Sequence, residues 1–422
     1  MKLVKLSLAA IVAAGALTSV ASATSLEEAI KNVDVTGYAR YRFDSRDNNN
    51  AGTKNAHRFT SDVNFKSALD DNFFGVIGFR YDSVDASGER TGARTMVGHD
   101  DHGNDDFGQT FNVRQFYLGY TAGNTTVTAG RQVVGTFFTD DMVGTGIKLL
   151  NSDISGLTLA AVAFDNLQVD GDIGTRGYYD DKGKQGVFIG PRDRDPNKDE
   201  FVTDRNLYGV AAIGSYDPVS FQLWYAALDS VAQLYAADVT VGANLGDVDL
   251  SLQAQAAGSS LWLDNVEYYK DGSLVTNGAV AVDDATFWAV ELGAKAFGFD
   301  GSVGYVQFDT DEVSLISFED QGSFIDAGED LLNYTAFAGD NKYWFLTAGY
   351  TFADKVRVGA DYVAGEGSDG VLVRDVDRYE AVARVDYKYS KKLNFKAWYS
   401  YINQENGQVD KDHFRFEARY NF

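Results

Sequence analysis

The chain has 422 residues, a formal charge of −24 and no cysteine. So negative a surface repels polyanions and excludes nucleic acid as a partner, while it concentrates cations nearby. The missing thiols exclude disulfides and thiolate metal centres, so stability has to come from backbone pairing and packing. Hydrophobic content of 45% would suit a soluble protein, but 14% aromatic residues, 43 glycines and only three prolines point to strands with aromatic girdles. The prolines are Pro191, Pro196 and Pro218, outside every predicted strand.

Residues 1–23 open the chain with Lys2 and Lys5, an apolar run from Leu6 to Leu17, and Ala21-Ser22-Ala23. This order predicts an export signal cleaved before Thr24, because the run is shorter than the roughly 20 apolar residues that a spanning helix needs. Its removal would leave 399 residues as one domain, 24–422, and would move the charge from −24 to −26 with the loss of two lysines.

Two-residue alternation bounded by Gly, Asp and Asn predicts about 18 strands, the first nine near 33–43, 57–69, 73–82, 111–121, 125–132, 144–152, 156–165, 206–216 and 219–228. The remainder lie near 231–243, 247–257, 285–297, 300–309, 342–352, 354–364, 378–389, 392–403 and 411–422. Short connections such as Asp70-Asp71-Asn72, Tyr216-Asp217-Pro218, Ala353-Asp354 and Ser390-Lys391 alternate with long polar ones. That asymmetry is the one expected between periplasmic turns and external loops. The insertions near 83–110, 166–205, 258–284, 310–341 and 365–377 read as solvated loops. The last nine residues place Phe414, Phe416, Ala418, Tyr420 and Phe422 on one face and Arg415, Glu417, Arg419 and Asn421 on the other. The fold class is therefore all-β, a transmembrane antiparallel barrel of about 18 strands in the cell outer membrane. A barrel that wide encloses water unless loops plug it, which makes passage of solutes its default function.

Turning aromatic residues toward lipid fixes which charges face the lumen. Arg40 and Arg42 go inward beside outward Tyr41 and Phe43. In the same phase Arg58, Asp62, Lys66 and Arg80 go inward, whereas Arg114 and Arg131 lie near strand ends and are harder to phase. Taken together these arginines predict a positive arc of wall that ordinary pH cannot discharge.

Several segments resemble the major outer-membrane porin of Campylobacter and its relatives: Leu26-Glu27-Glu28-Ala29-Ile30-Lys31 with Val33-Asp34-Val35, Val113-Arg114-Gln115, and Val143-Gly144-Thr145-Gly146. Further along, Gly156 to Ala161, Asn206-Leu207-Tyr208-Gly209, Val356 to Asp361 and Glu380 to Tyr389 are similar to the same family. The likeness covers essentially the whole mature chain and lapses in the long loops. It implies a homotrimeric, 18-stranded general porin whose third loop folds inward as a constriction. The segment from Gln132 to Gly144 breaks alternation where that loop would lie, with Asp140 and Asp141 as its acidic residues. Facing the arginine arc, they would set up a transverse field that admits ions and small hydrophilic solutes and disfavours apolar ones. An external turn with two solvated aspartates stays open as the alternative.

No cofactor is expected. Asp193, Asp195, Asn197 and Asp199 recur at every second position, a spacing of oxygen ligands that could take Ca²⁺, but the central glycine of an EF-hand loop is absent and interleaved cations favour a plain loop. His99-Asp100-Asp101-His102 is a comparable cluster. No Gly-x-Ser-x-Gly or His-Glu-x-x-His is present, so no enzyme is predicted. Other readings stay open: an adhesin or structural barrel whose loops bind host or neighbouring surface components, and a sugar- or peptide-specific channel. Trp224, Trp288, Trp344 and Trp398 could suggest an aromatic sugar track, but Trp288 and Trp344 phase outward as girdle residues. Lipid and lipopolysaccharide are the expected surroundings. The balance between acidic mouths and the arginine arc leans weakly toward cation preference.

Overall fold

A computed structural model describes residues 33–48, 52–85, 111–168, 205–262, 282–310, 323–332, 339–368, 375–404 and 410–422, with short stretches at 173, 187–189, 200–201, 266–270, 273–274 and 313–316. Eighteen strands join antiparallel, neighbour to neighbour, in one closed sheet. The first nine are β1 (Asp34–Asn48), β2 (Gly52–Ala68), β3 (Phe73–Asp85), β4 (Phe111–Ala122), β5 (Thr125–Val133), β6 (Val143–Asn151), β7 (Leu157–Leu167), β8 (Leu207–Tyr216) and β9 (Val219–Leu228). The second nine are β10 (Ala232–Leu245), β11 (Val248–Leu261), β12 (Ala285–Ala296), β13 (Phe299–Thr310), β14 (Gly339–Phe352), β15 (Val356–Ser368), β16 (Asp375–Lys388), β17 (Leu393–Gln404) and β18 (Lys411–Asn421). Each predicted strand overlaps one of them.

Closure comes from the two ends of the described chain. β1 pairs with β18 from Tyr38 opposite Asn421 to Asn48 opposite Lys411. Beyond that ladder Gly37 and Phe422 exchange backbone hydrogen bonds of 3.2 and 3.1 Å. No strand edge is left to meet hydrocarbon, where an unpaired N–H or C=O costs several kcal/mol. β1 and β2 run longer than predicted, because charged pairs such as Arg46 opposite Lys54 continue the ladder past the apolar band. Backbone pairing does not require an apolar side chain. Within the predicted long loops, residues 187–189, 200–201, 266–270 and 273–274 form a small four-stranded sheet, and 282–283 pairs in parallel with 313–314.

The alternation resolves into two skins. Leu118, Ile147, Leu223, Leu292 and Leu346 are exposed on the outer face, the arrangement that lipid favours. The inner rows are uneven around the circumference. From β6 to β14 they are mostly apolar and buried, with Leu150, Phe164, Leu234, Phe287, Phe308 and Phe345 among them and with buried Lys148, Gln222, Asp238 and Gln255 interspersed. From β15 through β18 to β4 they carry many charged groups.

Two segments that leave the wall cover the apolar side. Residues 134–142, between β5 and β6, contribute Phe137, Phe138 and Met142, all fully buried. Residues 323–332, between β13 and β14, contribute Phe324, Ile325, Leu331 and Leu332. The rings of Phe137 and Phe287 lie 4.9 and 4.8 Å from that of Phe324, and the Ser323 N–H donates to the Phe137 carbonyl at 2.9 Å. The expectation that 310–341 is a solvated loop therefore fails at 323–332. The inner wall offers that stretch burial worth about 1.5–3 kcal/mol per large apolar side chain, and its carboxylates Glu329 and Asp330 leave water with partners on the wall.

Candidate pore lining

Partners across an antiparallel ladder share a face, so register fixes the direction of each charge. Arg40 lies opposite Thr60 on β2 and Arg419 on β18, and Arg42 lies opposite Arg58 and Glu417. Arg80 on β3 lies opposite Asp62. Between these rows Tyr41 and Phe59 face outward with ring centroids 5.2 Å apart. Arg40, Arg42, Arg58 and Arg80 thus gather on the inner wall of β1 to β3. Glu417 tempers the arc, 3.1 Å from Arg42 and 3.9 Å from Arg40.

Arg114 owes its direction to a β-bulge. Val113 pairs with Phe79 and Gln115 with Gly78, which leaves Arg114 as the extra residue on β4. Such a residue is re-aimed by the local kink. The Arg114 guanidinium turns inward, 3.3 Å from Asp62 and 3.0 Å from the Asp141 carboxylate, and also donates to the Asp141 carbonyl. Arg80 reaches the same Asp141 oxygen at 2.8 Å. Arg131 departs from expectation. It lies opposite Phe116 on β4 and Thr145 on β6, in the row that carries exposed Leu118, Ile147 and Leu149, so register sets it on the outer face and not in the arc.

Residues 134–142 form a closed hairpin. The Val134 N–H donates to the Met142 carbonyl at 2.8 Å, and the Thr139 hydroxyl accepts from the Thr136 N–H at 3.0 Å. Lys148 on β6 donates its ammonium to the Val133 carbonyl at the hairpin's base. The aromatic side of the hairpin is buried, whereas Asp140 is exposed and the Asp141 side chain is 41% exposed at the other edge.

The second segment presents Glu329 and Asp330, which sequence reasoning missed. Glu329 is 3.0 Å from Arg384 on β16 and 2.8 Å from Lys396 on β17. Asp330 meets Nδ1 of His413 on β18 at 2.9 Å, and the same imidazole meets Asp44 on β1 through Nε2 at 2.8 Å. The available signal was the apolar bracketing of these acids by Phe324-Ile325 and Leu331-Leu332.

Trp288 and Trp344 are 46% and 47% exposed on the outer face, whereas Trp224 and Trp398 are buried in inner rows and offer no open track. Asp193, Asp195, Asn197, Asp199 and the cluster from His99 to His102 lie outside the described residues. Among the described residues no group of three or more His, Asp or Glu is arranged to hold a metal ion.

Comparison with known proteins places this geometry. The family model described as Campylobacter major outer membrane protein matches residues 1–422, the whole chain. The chain belongs to that family. As a member of the Campylobacter major outer membrane protein family it is an outer-membrane protein, and its 18 strands are the membrane-crossing elements. Similar solved structures include OccAB3 of Acinetobacter baumannii, with a TM-score of 0.67 at 12% identity over 93% of this chain and 100% of that one. OccK9 (OpdG) of Pseudomonas aeruginosa has a TM-score of 0.66 at 13% identity, over 93% and 100%. At these identities the likeness is one of fold. No curated protein matches the sequence.

Proposed function

We propose that this major outer membrane protein is a porin, a water-filled channel for passive diffusion of ions and small hydrophilic solutes. Its aperture runs along the inner wall of β18, β1, β2 and β3 and not down the barrel axis. One observation carries the reading: the two inward segments pack their apolar side chains into the buried cluster on the side formed by β6 to β14, while Arg40, Arg42 and Arg58 share the inner face of β1 and β2, outside that cluster. The hairpin 134–142 is the constriction loop of this reading, with Asp141 at its open edge, against Arg80 and Arg114. Fixed charges of opposite sign across a narrow gap align water and polar solutes and penalise solutes that cannot replace the lost hydrogen bonds. The formal charge of −24 favours cations at the mouths, so the channel is weakly cation-selective. Residues 1–23 act as the export signal, and the mature chain assembles as a homotrimer among lipid and lipopolysaccharide.

Planar-bilayer recording of detergent-purified protein tests this reading. Stepwise insertions that divide into three equal sublevels, with a cation-side reversal potential in asymmetric KCl, are the expected result. A folded, heat-modifiable barrel that gives no conductance steps would overturn it.

A further inference from the structure

Glu380 sits on the inner face of β16 with no exposed surface, a costly place for a carboxylate unless donors surround it. Four do. The backbone N–H groups of Glu329 and Asp330 both donate to Oε1 at 3.0 Å, that of Leu331 donates to Oε2 at 3.0 Å, and the Ser400 hydroxyl on β17 donates to Oε1 at 2.6 Å. Three successive N–H groups turned onto one anion form a nest, and here the anion belongs to the barrel wall. Gly328 leads into the nest at φ +83°, and a Cβ there would overlap the Glu380 carboxylate. The geometry leaves the turn little choice of position. Its next two side chains are then delivered to fixed partners, Glu329 to Arg384 and Lys396, and Asp330 to His413.

We infer that Glu380 is a positioning residue for conduction: it holds the turn 328–331 inside the barrel, so that Glu329 and Asp330 form a second acidic element of the pore, separate from Asp141. The inference rests on the porin reading and extends it to the far rim of the aperture. Asp141 ties the first segment to β3 and β4, and Asp330 ties the second to β18 and, through His413, to β1. The charged wall of β1 and β2 lies between the two ties.

The test compares wild type, Glu380→Gln and Glu380→Ala in planar bilayers. Gln keeps one acceptor but turns an amide N–H toward the Leu331 N–H, and Ala leaves all three backbone donors without their acceptor. Conductance and open-channel noise should rise from wild type to Gln to Ala, and the reversal potential should move toward zero. A purely structural role for Glu380, remote from conduction, would lower the melting temperature without moving the reversal potential, and that result overturns the inference. The double variant Glu329→Gln/Asp330→Asn keeps Glu380 and the wall intact, so it serves even where a Glu380 variant fails to fold. It should reduce cation preference, and an unchanged reversal potential overturns the inference as well. Failure of the wild-type protein to conduct would instead remove the porin reading itself.

Discussion

Asp141 stands 3.0 Å from Arg114, and the two side chains differ sharply in exposure, 41% against 5%. The buried guanidinium needs a counter-charge, and Asp141 supplies it from a hairpin whose other edge faces the open side of the barrel. One ion pair thus fixes the tip of the inward segment to the wall and leaves a carboxylate edge toward passing solutes. The bulge between β3 and β4 makes this possible by turning Arg114 inward.

Neutralising that edge should be read first in selectivity. In Asp140→Asn/Asp141→Asn the reversal potential in asymmetric KCl should fall toward zero. Arg114 keeps Asp62 as a partner and Asp141 is well solvated, so the cost to stability should be about 1–3 kcal/mol and not that of a stranded buried charge. A reversal potential that stays at the wild-type value removes Asp141 from the narrow part of the path.

Two glycines with positive φ should respond differently to alanine. Gly130 has φ +132°, and a Cβ there would overlap the Phe116 carbonyl of the neighbouring strand. Gly123, at φ +57° in a turn, has nothing within 4 Å of its Cβ position. Gly123→Ala should cost roughly 1–2 kcal/mol from backbone conformation alone. Gly130→Ala should cost more, because the backbone of β4 at Phe116 and Tyr117 must move away, and the temperature at which the heat-modifiable band converts should drop further. Equal drops would contradict the register at β4 and β5.

Removing residues 411–422 should abolish the folded barrel. It deletes β18, exposes the edges of β1 and β17, and breaks the Gly37–Phe422 exchange. With several kcal/mol lost for each backbone group left unpaired in hydrocarbon, no compensating contact is large enough. Electrophoresis of unheated samples should show only the unfolded form; a compact band would refute closure through β18.

Leu346 is 52% exposed on the outer face of β14, so a charge there should disturb the lipid contact. Leu346→Arg should destabilise the barrel by about 2–4 kcal/mol if the residue lies near the bilayer midplane. Chemical unfolding in liposomes gives the value, with Leu346→Ala as the reference. A cost no greater than that of alanine would turn this row away from lipid.

Much of the fold was legible because alternation is a property of a single strand. Phe414 to Phe422 announces its two faces whatever it pairs with, and Trp288 and Trp344 face outward as their phase requires. The arc of Arg40, Arg42, Arg58 and Arg80 followed from the same phase. Arg114 did not, since a bulge belongs to a pair of strands, and Arg131, near the end of β5, was placed only by its register with β4 and β6. Nothing within β4 alone states that Arg114 will be left without a partner on β3.

From the amino-acid order alone came the strand number, the lipid-facing rows, the charge on the inner wall and the place where alternation breaks after Arg131. Each is set by backbone geometry and by side chains a few positions apart. Tertiary structure alone decided which insertions turn inward and where their carboxylates rest. Glu329 is held by Glu380, 51 residues away, and Phe324 is buried against Phe287 and Phe137. The physical reason is that a loop's position depends on the surface offered to it: an apolar half-wall to cover, and a buried anion waiting for three N–H groups, exist only once the barrel has closed.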